Sequence, residues 1–378
     1  MSHQRSVSGN TMRDENTSLD IVELNQKLNA FLNGQMDSKW DIVIPFFLKG
    51  QISECHNKIR FAQIYEREIV ELKRANPIES RFIKPATKFE EWRQTLNSDD
   101  KENFLRPVFE LRDFIRSNFT QDEILGFYFH GSISTQDYVK YCSDFDTLVI
   151  VKKSVLNNEK WLYSFKERLT RSNTYLYLLD PLQHHGHFVI TEYDLETYNQ
   201  TIFPLNLFDF STELSDFQNS LVFNVLPFPI LHMRKSIFFW IEYFRKQGQL
   251  GFSLNSSYAV KQFVQSIFFL LTIYAELKSK QFYYKKFIFD LVRQDFDSKT
   301  WNLIEKSSMV RKNCEFHSIW PYQLRKFIGY CIHPRVLKRI HNDLDKSITK
   351  KILDIMGQNV LEEAYIFANI IKERLDLE

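Results

Sequence analysis

Asp144 and Asp146 stand two residues apart at the start of an apolar run, residues 144–151 (DFDTLVIV). In an extended strand the side chains at i and i+2 leave the same face, so the two carboxylates converge. Like charges held that close repel unless a cation lies between them. Hard carboxylate oxygens suit Mg2+, with Mn2+ as the alternative, often as a pair of ions roughly 3.5–4 Å apart that clamps attacking and leaving oxygens. Upstream, Gly131-Ser132 closes a second apolar run, residues 124–130 (ILGFYFH), and opens a short helix. There a missing Cβ lets backbone approach a phosphate, and free N–H groups point at it. An anion cradle beside a divalent-ion site fits a nucleoside triphosphate with its metal.

For these groups to meet, the run 124–130 must be a strand, and 144–151 its neighbour. A third strand is expected at 187–191 (HFVIT), after a helical stretch of about twenty residues beyond Asn157. Around this α/β core, 120–200, the period changes to that of helices. Leu24, Leu28 and Phe31, then Phe104, Val108, Leu111 and Ile115, recur at helical steps in a region spanning 19–119, whose last helix covers 105–118 with Pro107 in its first turn. Helical patterning returns over 201–378, clearest at 236–246, 258–277, 282–294, 322–331 and 348–375. Residues 1–18 are polar, without apolar periodicity, and read as a flexible tail.

Composition narrows the partners. With 49 Lys+Arg against 47 Asp+Glu the net charge is +2, which lacks the electrostatic footprint of a protein gripping long nucleic acid. Most of the 35 Phe rings should lie in the core. Cys55, Cys142, Cys314 and Cys331 are too scattered for a paired metal spacing or a disulfide framework, and read as reduced thiols. No N-terminal apolar stretch resembles a signal peptide, and the most apolar run, 267–275, falls short of the roughly 20 residues that span a bilayer. A cytoplasmic protein with no membrane partner is expected.

The stretch 124–194 resembles the signature of the DNA polymerase beta-like nucleotidyltransferase superfamily, which pairs Gly-Gly or Gly-Ser with Asp-x-Asp at this separation. Gly131 and Ser132 match the first element, and Asp144 and Asp146 match the metal carboxylates. Thr147 departs from the apolar residue usual there. The resemblance implies an α+β fold: a small mixed nucleotidyltransferase-type sheet with helices, flanked by a helical N-terminal region and a helical C-terminal domain that closes over the nucleotide. It also implies transfer of a nucleoside monophosphate, usually from ATP, with release of pyrophosphate. A small-molecule or protein acceptor fits the near-neutral charge better than long RNA.

The resemblance further implies a third carboxylate on the next strand. A helix-length crossover favours parallel pairing of the second and third strands, so residues early in the third strand lie near Asp144. Asp180 is then the favoured catalytic partner, and Glu192 is carried about 17 Å away at 3.3 Å per residue. His184, His185 and His187 together suggest an acceptor pocket, although each alone also reads as a satisfied polar-turn histidine. Lys286, beside Lys285, sits where related enzymes present a lysine to the triphosphate; a solvated helix face is the plain alternative. Arg311 and His317 loosely resemble the Arg/His pair of HEPN-type ribonucleases, as do Arg335 and His341. Two rival functions therefore stand beside nucleotidyl transfer. One is a noncatalytic nucleotide-binding regulator with a degenerate core, and the other a toxin-like module with a HEPN-type ribonuclease domain.

Overall fold

A computed structural model describes residues 21–34, 61–75, 79–83, 87–183, 185–217, 220–249, 254, 256–313, 322–331, 350, 352 and 354–376. The expected tail, Cys55, Cys314, His184, His317, Arg335 and His341 lie outside the described residues.

The N-terminal region contains helices α1 (Ile21–Leu32) and α2 (Phe61–Ala75), strands β1 (Glu79–Ile83) and β2 (Thr87–Lys88), and helices α3 (Phe89–Gln94), α4 (Ser98–Glu102) and α5 (Arg106–Asn118). The core runs β3 (Ile124–His130), α6 (Ser132–Thr135), β4 (Asp146–Val151), α7 (Lys153–Leu156), α8 (Glu159–Leu179) and β5 (Phe188–Thr191). After β6 (Thr212–Glu213) and β7 (Leu221–Val225) come α9 (Ile230–Gln249), α10 (Ser257–Ser279), α11 (Lys285–Val292), α12 (Ser298–Asn313), α13 (Tyr322–Cys331) and α14 (Val360–Arg374).

Five strands form a mixed sheet in the order β2-β6-β3-β4-β5, while β1 and β7 make a separate antiparallel ribbon. β3 and β4 are antiparallel, setting His130 opposite Asp146; β4 and β5 are parallel, setting Leu148 opposite Phe188. The parallel step follows from α8, which returns the chain to the same sheet edge and is capped at its start by Asn158 accepting from the Trp161 N–H (3.1 Å). Successive side chains along each central strand enter opposite cores. Phe127, Phe129, Val149 and Val151 pack with α1, α5 and α8 residues such as Leu28, Leu111, Ile115 and Leu169. Tyr128, Leu148, Ile150 and Ile190 instead pack with Phe203, Phe208 and Phe223. Both faces of the sheet are thus covered, which is why these strands read as continuous apolar runs. A third core is built from α9 to α12 and α14.

Two expectations need correction. The flanking regions are not purely helical: β1, β2, β6 and β7 fall inside them, and β2 and β6 extend the core sheet. With two residues each, β2 and β6 are too short for a period of two to register. The apolar run at 267–275 is part of a longer helix, and Tyr258–Ser279 has the length and hydropathy (mean 1.2) of a spanning segment. In this fold 72% of that window is buried inside the protein, and the helix packs against α9, α11, α12 and α14.

Candidate active site

β4 begins at Asp146, so Asp144 is not a strand residue and the two acids do not share a pleat as the spacing suggested. They meet because the loop before β4 is pinned. The Phe145 N–H donates to Gln183 Oε1 (3.1 Å), and Ser143 Oγ accepts from the Val139 N–H (2.9 Å). Asp144, Asp146 and His185 each bring one ligand atom into a group whose members lie within 4.8 Å of one another. His185 Nε2 is 3.0 Å from Asp146 Oδ1. Burial works against charge on either partner of that pair. Their contact overrides it, holding Asp146 below the usual carboxylate range and His185 above the usual histidine range.

Gly131 closes against the same carboxylate. Its φ is 71°, and a Cβ there would sit 3.1 Å from Asp146 Oδ2. The turn is held from three sides: Trp92 Nε1 donates to Ile133 O (3.1 Å), Ser134 Oγ meets Thr212 Oγ1 (2.7 Å), and Thr135 Oγ1 meets the Tyr284 hydroxyl (3.1 Å). The short strand β6 and the segment before α11 therefore both position the turn.

Asp144 has a partner that the sequence did not reveal. Lys261, on α10 and 4% exposed, places Nζ 2.5 Å from Asp144 Oδ1 and 2.6 Å from Asp180 Oδ2. One turn further along the helix, Gln265 donates to Asp144 Oδ2. Burial opposes the Lys261 charge, but the two aspartates hold its pKa above the usual lysine range. Asp180, the expected third carboxylate, is held by this ammonium. It caps the end of α8, is 0% exposed, accepts the Leu182 N–H (3.0 Å) through Oδ1, and stands outside the ligand group. Burial raises its pKa to about 7, against the pull of Lys261 and with the help of Asp144. The third strand, Phe188–Thr191, itself contains no carboxylate. Glu192 lies at the far end, accepting the Lys153 N–H (3.0 Å), as parallel pairing requires.

The histidines separate. His187 faces the α8 side, 2% exposed, with Nδ1 2.6 Å from Thr147 Oγ1 and Nε2 2.8 Å from Ser172 Oγ. It is a satisfied core histidine, its pKa lowered to about 3 by burial and then by His185, and not part of an acceptor pocket. The Thr147 hydroxyl thus holds this ring from the β4 side. His130, which motif reading passed over, belongs to the site. It is 7% exposed, lies directly across from Asp146, and its Nε2 has no partner among the described residues. Burial lowers its pKa to about 4, opposed by Asp146 and aided by His185 and Lys285, so the ring is neutral. The antiparallel pairing of the two motif strands is the signal that would have found it.

His130, Asp144 and Asp146 line a cavity of about 560 Å³ whose walls also include residues of α9 to α12. Gly131, Ser132, Asp144 and Asp146 lie on one part of its wall, and Lys285, Lys286, Arg311 and Lys312 are also in the lining. Lys286, half-exposed, pairs with Asp137 at 3.3 Å, so α11 does bring it to the cavity that holds Gly131. Arg311 lines this same cavity, 3.4 Å from Ser143 Oγ.

No family model, curated protein or solved structure matches the chain.

The donor set itself suits a divalent ion. Two carboxylates and an imidazole converge, a glycine keeps their approach open, and the positive charge now satisfying Asp144 is an ammonium.

Proposed function

We propose that the protein is a metal-dependent nucleotidyltransferase, moving a nucleoside monophosphate from a nucleoside triphosphate, ATP on the family resemblance, to a small-molecule or protein acceptor in the cytoplasm. The observation that carries this reading is the convergence of Asp144 and Asp146 beside Gly131 in a cavity also lined by Lys285, Lys286, Arg311 and Lys312. Its volume is in the range that encloses one nucleotide-sized ligand. In the reaction an acceptor oxygen or nitrogen bonds to the α-phosphorus, the bond from that phosphorus to the bridging oxygen of the β-phosphate breaks, and pyrophosphate leaves. Asp144 and Asp146 hold the divalent ion, Mg2+ or Mn2+, which when bound offsets phosphate charge by several kcal/mol. Gly131 and Ser132 leave room for the phosphates to approach the carboxylates. The four basic side chains receive the β- and γ-phosphates, and the half-exposed pairing of Lys286 with Asp137 is weak enough to exchange for a phosphate.

A second reading has its own support. Lys261 already offsets Asp144, and β5 contributes no carboxylate, which suits a protein that binds nucleotide without turnover. The two readings separate on incubation with each α-labelled triphosphate, Mg2+ or Mn2+, and cell extract as acceptor source. Transfer should yield labelled product and pyrophosphate, both reduced at least about a hundredfold in Asp146→Asn. Nucleotide binding with no pyrophosphate from any triphosphate would favour the noncatalytic regulator, and no binding at all would reject both.

A further inference from the structure

We propose that the ion at this centre is ligated by nitrogen as well as oxygen, through His185 with His130 as the adjoining donor, and that the site therefore prefers a transition ion of the manganese, cobalt and zinc class to Mg2+. This rests on the metal-site reading above and specifies its ligand chemistry.

Three observations converge. His185 Nε2 already lies within the group of atoms that brackets the ion position, 3.0 Å from Asp146 Oδ1. The other nitrogen of that ring, Nδ1, is 2.8 Å from the carbonyl of Gly186. A carbonyl only accepts, so Nδ1 carries the hydrogen and Nε2 is the nitrogen turned to the site. A backbone acceptor behind the distal nitrogen is the usual way a metal-binding imidazole is oriented.

The second observation is the chemistry of β5, Phe188–Thr191, which carries no carboxylate. β5 starts only at Phe188, and the segment before it brings His185 to Asp146 while Gly186 turns toward Asn33 and Asn173.

The third is independent of the acidic pair. His130 Nε2 is buried in the cavity wall with no hydrogen-bond partner among the described residues, on the residue directly across β3 and β4 from Asp146. A buried polar atom left without a partner is destabilising, and a bound ion or its water would supply that partner. Directly opposed residues have Cβ atoms roughly 4.5–5.5 Å apart, so both side chains can reach one occupant. Mg2+ dehydrates reluctantly and is served by oxygen ligands, whereas imidazole suits later divalent ions, whose affinity rises through the series from manganese.

The test uses the full chain, stripped with chelator and titrated with Mn2+ alone, read by electron paramagnetic resonance and by pulsed detection of nitrogen-14 coupling. Mn2+ should stay bound against at least about a tenfold excess of Mg2+ and show nitrogen coupling. His185→Ala should reduce the coupling and weaken Mn2+ about ten- to a hundredfold, and only the double variant with His130→Gln should abolish the coupling, with His185→Gln as the less disruptive variant and circular dichroism as the folding check. His130→Gln should weaken Mn2+ within the same range. Mn2+ bound without nitrogen coupling, or displaced by equimolar Mg2+, would overturn nitrogen ligation while leaving nucleotidyl transfer intact. No Mn2+ or Mg2+ binding with or without triphosphate would overturn both.

Discussion

Lys261 brings one positive charge into a buried space that holds two carboxylates, Asp144 and Asp180. Removing one member of such a group leaves uncompensated charge out of water, at a cost of about 3–5 kcal/mol. Lys261→Met should therefore lower stability by that amount in denaturant titration, and adding Asp180→Asn should restore part of it. A melting midpoint unchanged in Lys261→Met would show that the ammonium does not hold these acids. At this scale, legibility followed sequence distance. Gly131, Asp144 and Asp146 declare themselves by local spacing, but Lys261 and Asp180 are 81 residues apart and nothing near either announces the other. His187 was misplaced for a different reason: along a strand one step changes the face, so a histidine enters the core or the cavity according to register alone.

At the scale of elements, the turn between β3 and α6 is the most constrained piece of the site. Gly131 combines a positive φ with a close approach to Asp146, so a β-branched side chain is opposed both by backbone conformation and by the carboxylate. Gly131→Val should cost about 1–3 kcal/mol of stability from strain and weaken triphosphate binding at least about tenfold. Calorimetry showing unchanged affinity would remove this turn from the site. The strands β3, β4 and β5 were legible because covered faces make long apolar runs, and α8 because it spans 21 residues with a capping Asn158. The two-residue strands β2 and β6 were not, since pairing rather than propensity defines them. The loop position of Asp144 was also hidden: its place is decided by Gln183 and Ser143.

Across the whole molecule, α10 joins the C-terminal core to the sheet edge. Lys261 and Gln265 near its start serve Asp144, and Glu276 near its end also lines the cavity. Glu276 is 5% exposed, and burial raises its pKa to about 8, opposed by the Tyr283 N–H and by Lys285. Its unfolded value is about 4.3, so between these two values the folded chain keeps a proton that the unfolded chain has lost. The resulting stability is complete below the unfolded value and disappears as pH rises through about 8. Urea midpoints should fall across that window, and Glu276→Gln should flatten the fall; identical pH profiles would contradict the assignment. The broad division into helical flanks and an α/β centre was legible from period changes, whereas the way α10 completes a site encoded more than a hundred residues earlier is a tertiary fact. The most direct test of the carboxylate pair as a metal–nucleotide centre is calorimetric titration of a non-hydrolysable triphosphate analogue, with and without Mn2+, into the wild-type chain and Asp146→Asn. Wild-type binding should depend on Mn2+ and weaken at least about a hundredfold in the variant, the equivalent of about 2.7 kcal/mol. Equal affinity in the two chains, or wild-type affinity indifferent to Mn2+, would contradict it.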